Sequence, residues 1–162
     1  MSAIILGVGD MLVTNEPDAT IKTVALGSCV ALVIHDPENK LVGVAHVALP
    51  DSSLNKKRAE ETPGFFADSA IPKLLSDLKR RNSSASAASL KVALVGGARV
   101  IKSLPAFDIG KRTVSAVKNV LRNMGYSPSV EDVGGAVSRT MTFCCQSGRI
   151  TVSSPGRDDW RL

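Results

Sequence analysis

Two apolar segments joined by a sharp turn constrain the fold of this chain more than any other feature. Residues 29–35 read CVALVIH and residues 41–49 read LVGVAHVAL. The DPEN sequence at residues 36–39 predicts a β-turn, because proline fixes the backbone angle that the second turn position requires. The second segment is apolar on both faces of a strand, so we expect other layers to cover this hairpin on both sides.

Chain length and composition favour one layered domain. The chain has 162 residues, of which 44% are hydrophobic but only 4% aromatic, so the core must be built from aliphatic strands packed under helices. Strands with two interposed helices and a closing hairpin suggest an α+β sandwich. We predict a single domain at residues 1–154 and a flexible C-terminal tail at residues 155–162, which contains the only tryptophan.

Apolar spacing and turn residues define the remaining elements. Apolar residues at helical spacing from 71 to 78 predict one helix, which Pro72 either opens or kinks. A second helix is predicted to begin at Ile109 and to end at Gly125. Further predictions are strands at residues 3–14 and 20–26, a strand that runs into a tight turn at Gly96-Gly97, a hairpin around Ser147-Gly148, a long loop at residues 51–64 and a mobile linker at residues 82–89.

Charge and cysteine content narrow the partners and the compartment. Lys and Arg outnumber Asp and Glu by 20 to 15, which favours an acidic partner surface. The basic residues are scattered without interleaved aromatic residues, so nucleic-acid binding is not indicated. Three cysteines cannot form a closed disulfide framework, which predicts reduced thiols and a cytoplasmic location. No apolar run is long enough to span a membrane, and no Cys/His spacing suits zinc, so we expect neither a metal nor another cofactor.

The predicted hairpin brings two reactive side chains together. If the hairpin turns at residues 37–39, Cys29 lies opposite residues 46–48. His46 then lies beside Cys29, and directly opposed side chains are roughly 5 Å apart. The register leaves two alternatives open, since a shift of one residue moves His46 to the other face of the sheet. Thr23 lies an even number of positions before Cys29 and shares its face if the strand direction continues through Gly27.

A Cys/His pair of this kind can carry out nucleophilic catalysis. An imidazole can take the thiol proton, and a third polar group, here the Thr23 hydroxyl, can orient the ring. Gly27 before Ser28 lets the backbone bend, and such a bend can present free N–H groups to an oxyanion. The simpler interpretation is a buried structural cysteine with a histidine that is merely satisfied in the core.

Several motifs in order resemble the CheD family, the chemoreceptor glutamine deamidases of bacterial and archaeal chemotaxis. They are LGSCVALVIHDP followed by GVAHVALPDS, then FFADSAIPKLL, VALVGGARV, IGKRTVSAVKNVL and EDVGGAVSRTMTFCCQSGRITV. The resemblance covers about residues 4–153. One departure concerns Ala25, which stands where the family commonly has glycine.

The resemblance implies a three-layer α/β/β sandwich that hydrolyses receptor glutamine carboxamides to glutamate and ammonia. It implies the catalytic set Cys29, His46 and Thr23. From the backbone bend itself we expect Ser28 and Gly27 to lie beside the substrate oxyanion. It also implies two partners: the cytoplasmic domain of methyl-accepting chemoreceptors and a CheC-type phosphatase. We expect a monomer when the protein is unbound.

Two other functional classes are considered. In one, the protein is a binding module that regulates a CheC-type phosphatase with little or no catalysis of its own. In the other, it is a related thiol amidase, esterase or transglutaminase. The intact set of Cys29, His46 and Thr23 argues against the first, and the released product would separate the members of the second.

Overall fold

The computed structural model describes residues 2–82, 86–100 and 108–162, and these ranges contain two five-stranded sheets. The first sheet has the strand order β1-β3-β8-β9-β10 and the second has the order β2-β5-β4-β6-β7. The strands are β1 (Ser2–Leu6), β2 (Met11–Thr14), β3 (Ala19–Leu26), β4 (Val30–Asp36), β5 (Leu41–Val47), β6 (Lys91–Gly96), β7 (Val130–Val133), β8 (Arg139–Cys144), β9 (Arg149–Ser153) and β10 (Trp160–Arg161). The helices are α1 (Lys56–Glu61), α2 (Ala67–Arg81) and α3 (Ile109–Asn123).

The β4–β5 hairpin lies in the middle of the second sheet and is covered on both faces, as the sequence predicts. Val30, Leu32 and Ile34 pack in one core cluster with apolar residues of α2 and α3. Ala31 and Val33 pack in a second cluster with residues of the first sheet. The layer order is therefore helices, sheet, sheet, which confirms the α+β sandwich.

The N-terminal prediction of one strand over residues 3–14 is wrong. β1 belongs to the first sheet and β2 to the second, and residues 7–10 carry the chain across between them. Gly9 adopts a left-handed φ of 86°, and the Asp10 carboxylate accepts a hydrogen bond from the Gly7 N–H at 2.8 Å. The turn chemistry of these residues overrides their apolar neighbours.

The helices begin and end close to their predicted positions, with one addition. α3 begins at Ile109, and Gly125 follows its end with a φ of 88°. α2 already begins at Ala67, so Pro72 lies inside it. The predicted loop at residues 51–64 instead contains α1 between two short 3₁₀ turns, and the Asn55 side chain caps α1. α1 has no buried residue, which is why no apolar pattern indicates it.

The C-terminal residues differ from the flexible tail that the sequence predicts, because Trp160 and Arg161 form β10 against β9. The Trp160 indole N–H donates to the Asp132 carboxylate at 2.7 Å, and Asp132 also pairs with the buried Arg139 at 3.3 Å. Asp132 lies 28 residues before Trp160, so local pattern could not reveal this contact.

The linker predicted at residues 82–89 is only partly described. Within the predicted linker at 82–89, residues 83–85 lie outside the described residues, and Ala87–Ser89 form a short 3₁₀ turn. None of the helices in the described ranges is long and apolar enough to cross a membrane.

Candidate active site

The hairpin register places Cys29 and His46 on the same face of the second sheet. His46 on β5 lies directly opposite Ala31 on β4. Cys29 lies two positions before Ala31, which makes Cys29 and His46 diagonal neighbours. Such neighbours are separated by about 7–8 Å at the backbone, within reach of long or aromatic side chains. Of the two registers that the sequence leaves open, the structure has the one with both side chains on one face.

That face is turned towards the first sheet, so the pair lies inside the sandwich. His46 is 2% exposed. Cys29 is half-buried and packs against the core cluster between the two sheets. The thiol therefore lies at the edge of the interior, and the imidazole lies deeper.

Thr23 reaches the same interior from the opposite sheet. It is fully buried on β3, and β3 and β4 belong to different sheets. The expectation that Thr23 and Cys29 share one strand face is therefore wrong. The chain changes sheets between them, where the β3–β8 register shifts after Thr23 and Ala25 adopts a left-handed φ of 54°. Thr23 faces the second sheet across the sandwich.

The His46 ring is oriented by a backbone carbonyl. His46 Nδ1 lies 3.1 Å from the Leu6 carbonyl oxygen, and because a carbonyl only accepts, Nδ1 must carry the proton. Leu6 is the residue paired with Thr23 across β1 and β3. Thr23 Oγ1 itself has no hydrogen-bond partner among the described residues. We expected the Thr23 hydroxyl to accept the hydrogen bond from the His46 ring, but the Leu6 carbonyl accepts it instead. The sequence could not indicate this acceptor, because every residue has a main-chain carbonyl.

This hydrogen bond fixes the tautomer of His46. With the proton on Nδ1, the second ring nitrogen carries a free lone pair. His46 Nε2 is buried and has no hydrogen-bond partner among the described residues. The ring therefore offers an unpaired basic nitrogen on the face that it shares with Cys29.

The backbone around Cys29 is held by the glycine turn after β6. The Gly97 N–H donates to the Cys29 carbonyl at 2.8 Å, and the Ala98 N–H donates to the Gly27 carbonyl at 2.8 Å. A Cβ on Gly96 would lie 2.3 Å from the Cys29 carbonyl oxygen. The glycine pair at residues 96–97, where the sequence predicts a tight turn, therefore packs against and hydrogen-bonds the main chain of Cys29.

A cleft of about 390 Å³ lies beside this turn, and Gly27, Ser28 and Arg99 are among its lining residues. The Gly27 N–H is used internally, since it donates to the Ala25 carbonyl at 3.0 Å. The N–H groups of Ser28 and Cys29, by contrast, have no acceptor within the described part of the chain. Cys29 itself is not among the lining residues and follows directly after them.

Burial pushes both members of the pair towards their neutral forms. It raises the pKa of the Cys29 thiol. It also lowers the pKa of the His46 imidazole, an effect opposed by the hydrogen bond to Leu6 and by the negative charge of Asp10. The resting pair is consequently a neutral thiol beside a neutral imidazole.

The other cysteines and the second histidine occupy different environments. His35 packs edge-on against Phe143, with ring centroids 5.1 Å apart. Cys145 packs against the core between the sheets, whereas hydrogen bonding to Ser147 lowers the pKa of Cys144. In the described ranges, no group of three or more His, Cys, Asp or Glu residues is placed to hold a metal ion.

Comparisons with known proteins give one family over most of the chain. A family model described as CheD chemotactic sensory transduction matches residues 48–154. A protein of Syntrophotalea carbinolica, named probable chemoreceptor glutamine deamidase CheD, is 43% identical over 162 residues and covers 100% of both chains. The chemoreceptor glutamine deamidase CheD of Halalkalibacterium halodurans is 39% identical over 150 residues, covering 91% of this chain and 90% of its own. Among solved structures, the crystal structure of Bacillus licheniformis hypothetical protein YfiH matches with a TM-score of 0.44 and 16% identity, over 78% of this chain and 50% of that one.

Proposed function

The chain belongs to the CheD family, and on that basis we propose that it is a chemoreceptor glutamine deamidase that acts in chemotaxis adaptation. The two relatives described above carry this activity in their names. The proposed reaction converts the side-chain carboxamide of a receptor glutamine to a carboxylate and releases ammonia. Cys29 is the proposed nucleophile, His46 the general base and acid, and Thr23 the third catalytic residue.

One observation carries the assignment of roles: the buried His46 ring has Nδ1 fixed by Leu6 and Nε2 unpaired. Leaving a buried ring nitrogen without a partner costs free energy of about 1–3 kcal/mol. A purely structural histidine would be expected to satisfy both nitrogens. An oriented ring with a free basic nitrogen, on the face of the only cysteine of the hairpin, supports a role for His46 in activating the thiol.

The first half of the reaction forms a thioester. His46 Nε2 takes the proton from the Cys29 thiol, and the thiolate attacks the carboxamide carbon of the substrate. The N–H groups of Ser28 and Cys29, which lack acceptors among the described residues, stabilise the oxyanion, and one such donor contributes about 3–4 kcal/mol in other enzymes. The carbon–nitrogen bond then breaks as the imidazolium protonates the leaving group, which departs as ammonia.

The second half hydrolyses the thioester. His46 Nε2 takes a proton from water, the resulting hydroxide attacks the thioester carbon, and the carbon–sulfur bond breaks. The product is glutamate, and the Cys29 thiolate recovers its proton from the imidazolium. In this scheme the unpaired Thr23 hydroxyl is available to hydrogen-bond the substrate carboxamide. Gly27 and Ser28, which directly precede Cys29 in the chain, line the cleft proposed to receive the substrate.

The proposed partners follow from the same family membership. The substrate is the cytoplasmic domain of a methyl-accepting chemoreceptor, and the net charge of +5 suits an acidic surface on it. A CheC-type phosphatase is the second proposed partner. The protein is proposed to be a cytoplasmic monomer when neither is bound.

The experiment is incubation of the purified protein with the cytoplasmic fragment of a chemoreceptor from the same organism. We expect ammonia release in a one-to-one ratio with glutamine-to-glutamate conversion, measured by peptide mass spectrometry. Methanol release from methylated receptor would instead indicate an esterase, and incorporation of an added primary amine would indicate a transglutaminase. A protein that binds a CheC-type phosphatase but releases no ammonia would be a binding module, and the proposed function would be wrong.

A further inference from the structure

Residues 6–10, at the end of β1 and in the connection to β2, contact both the main chain and the imidazole ring of His46. The Gly9 N–H donates to the His46 carbonyl at 2.8 Å, and the His46 N–H donates to the Asp10 carbonyl at 3.0 Å. These two bonds extend the β2–β5 ladder, in which Met11 lies opposite Ala45, so that Asp10 lies opposite His46. Leu6, which binds the ring, is the last residue of β1.

The Asp10 side chain closes this connection. Its carboxylate accepts from the Gly7 N–H at 2.8 Å, and the Asp10 N–H donates to the Gly7 carbonyl at 3.0 Å. The turn is further held from outside, because Gly64 packs so closely that a Cβ there would lie 2.3 Å from the Gly9 carbonyl oxygen. One exposed acidic residue thus fixes the turn that carries the ring acceptor and brings a negative charge beside the ring.

We propose that Asp10 is a positioning residue for His46, which holds the Leu6 carbonyl against the ring and favours the protonated imidazole that forms during the reaction. The proposal rests on the function proposed above for its catalytic consequence, but not for its effect on the ring. Nothing in the sequence pattern singles Asp10 out, since it reads as an ordinary turn residue.

Other charged groups do not supply this effect. Cys29, directly before β4, lies on the inner face beside His46, and its thiol is neutral at rest, whereas His35, further along the same face, packs against Phe143. From the first sheet, Arg139 lies on the inner face of β8, but its guanidinium is paired with Asp132 at 3.3 Å and bonded to the Gly134 carbonyl at 2.8 Å. Lys22 lies on the alternate, outward positions of β3.

The charge of Asp10 acts on the pKa of His46 in one direction. The negative charge of Asp10 raises the pKa of the imidazole, against the lowering caused by burial. Removing the charge must therefore lower the pKa of His46 further. The Asp10→Asn variant does this while its amide oxygen can still accept from the Gly7 N–H, so the turn is retained.

The test is a titration of the imidazole nitrogens by NMR. The chain has only two histidines, so His35→Gln assigns both signals, and His35 serves as an internal reference. At low salt we expect the His46 midpoint to fall in Asp10→Asn, with the His35 midpoint unchanged. Asp158→Asn, an equal change of charge beside β10 at the opposite edge of the first sheet from β1, should leave both midpoints unchanged.

An equal His46 midpoint in wild-type protein and Asp10→Asn would overturn the proposal. If Asp10→Asn does not fold, Asp10→Ser gives the answer, because its hydroxyl can still accept from the Gly7 N–H while the charge is removed. The His46 midpoint must again be lower than in the wild-type protein, and an equal midpoint would overturn the proposal.

Kinetics separate this proposal from the proposed function. In Asp10→Asn, the acid limb of kcat/KM for deamidation should move to lower pH together with the NMR midpoint, and the plateau should fall several-fold. A merely structural role would lower the plateau and leave the limb in place, which would overturn the proposal. If the wild-type protein releases no ammonia but the NMR shift is present, the proposed function fails and the effect of Asp10 on His46 stands.

Discussion

His46 is bonded through Nδ1 to the carbonyl oxygen of Leu6, 3.1 Å away in the facing sheet. This hydrogen bond joins the first sheet to β5 of the second, on the face that His46 shares with Cys29. It decides which ring nitrogen is basic, and it leaves the Thr23 hydroxyl, beside Leu6 in the same sheet, without a partner in the described structure. A mutation of Thr23 can therefore change the rate of the proposed reaction without lowering the free energy of unfolding.

Replacing Thr23 with valine should separate the two properties. The change removes a buried hydroxyl that has no partner among the described residues, so the free energy of unfolding should stay equal or rise by about 1 kcal/mol. The rate of deamidation should fall about ten-fold or more, and Thr23→Ser should retain most of it. Thr113→Val is the matched control, because its hydroxyl is also buried and unpaired within the described chain. Full activity in Thr23→Val would show that the hydroxyl has no catalytic role.

Gly96→Ala should damage the site far more than an equivalent change elsewhere. Its Cβ would lie 2.3 Å from the Cys29 carbonyl oxygen, and its φ is 112°. Gly125 has a φ of 88° but nothing within 4 Å of a Cβ, so Gly125→Ala should cost only the strain of the left-handed backbone, about 1 kcal/mol. Urea unfolding should show a larger loss for Gly96→Ala, with loss of deamidation in the fraction that stays folded. Equal losses in the two variants would mean that the turn does not constrain Cys29.

Ala25→Gly should stabilise the protein. Ala25 has a left-handed φ of 54°, which costs an L-residue about 1–2 kcal/mol, and glycine avoids this cost at the expense of greater freedom in the unfolded chain. We expect a net gain of about 0.5 kcal/mol, measured by urea unfolding. Ala59→Gly in α1 should instead destabilise. A loss in Ala25→Gly similar to that in Ala59→Gly would contradict the strained backbone at residue 25.

Alkylation should report the neutral resting state of Cys29. Burial raises the pKa of this thiol, so its thiolate fraction at neutral pH is lower than that of a free thiol and increases only at higher pH. Labelling with iodoacetamide, followed by peptide mass spectrometry, should give a pH midpoint for Cys29 above that of glutathione. Cys144, whose pKa is lowered by hydrogen bonding to Ser147, should react first at neutral pH. A Cys29 midpoint below that of glutathione would indicate a preformed thiolate–imidazolium pair.

The sequence predicted the part of the site that depends on local pattern. The turn at residues 36–39 and the apolar strands around it determined the hairpin, and the hairpin brought His46 back to Cys29. A tight turn was predicted at the glycine pair 96–97; both glycines have positive φ, but the chain there hydrogen-bonds to Cys29 and Gly27 on the neighbouring segment. Only the register of the hairpin stayed open. Residues 41–49 are apolar on both faces of the strand, so a shift of one residue would bury an apolar face in either case.

Long-range contacts account for what the sequence could not predict. The Leu6 carbonyl and the Asp10 carboxylate reach His46 because the chain changes sheets at residues 7–10, and an apolar segment with two glycines reads equally well as one strand. Trp160 pairs with β9, and its indole N–H donates a hydrogen bond to Asp132, 28 residues earlier in the chain. α1 buries no residue and so leaves no helical pattern.

The central claim is that Cys29 is the nucleophile of a glutamine deamidase. The most direct measurement is peptide mass spectrometry of the chemoreceptor cytoplasmic fragment after incubation with wild-type protein or Cys29→Ala, with Cys145→Ala as a control for loss of a partly buried thiol between the sheets. We predict glutamine-to-glutamate conversion by the wild-type protein and by Cys145→Ala, and none above the rate without enzyme by Cys29→Ala. Conversion by Cys29→Ala at the wild-type rate would contradict the account.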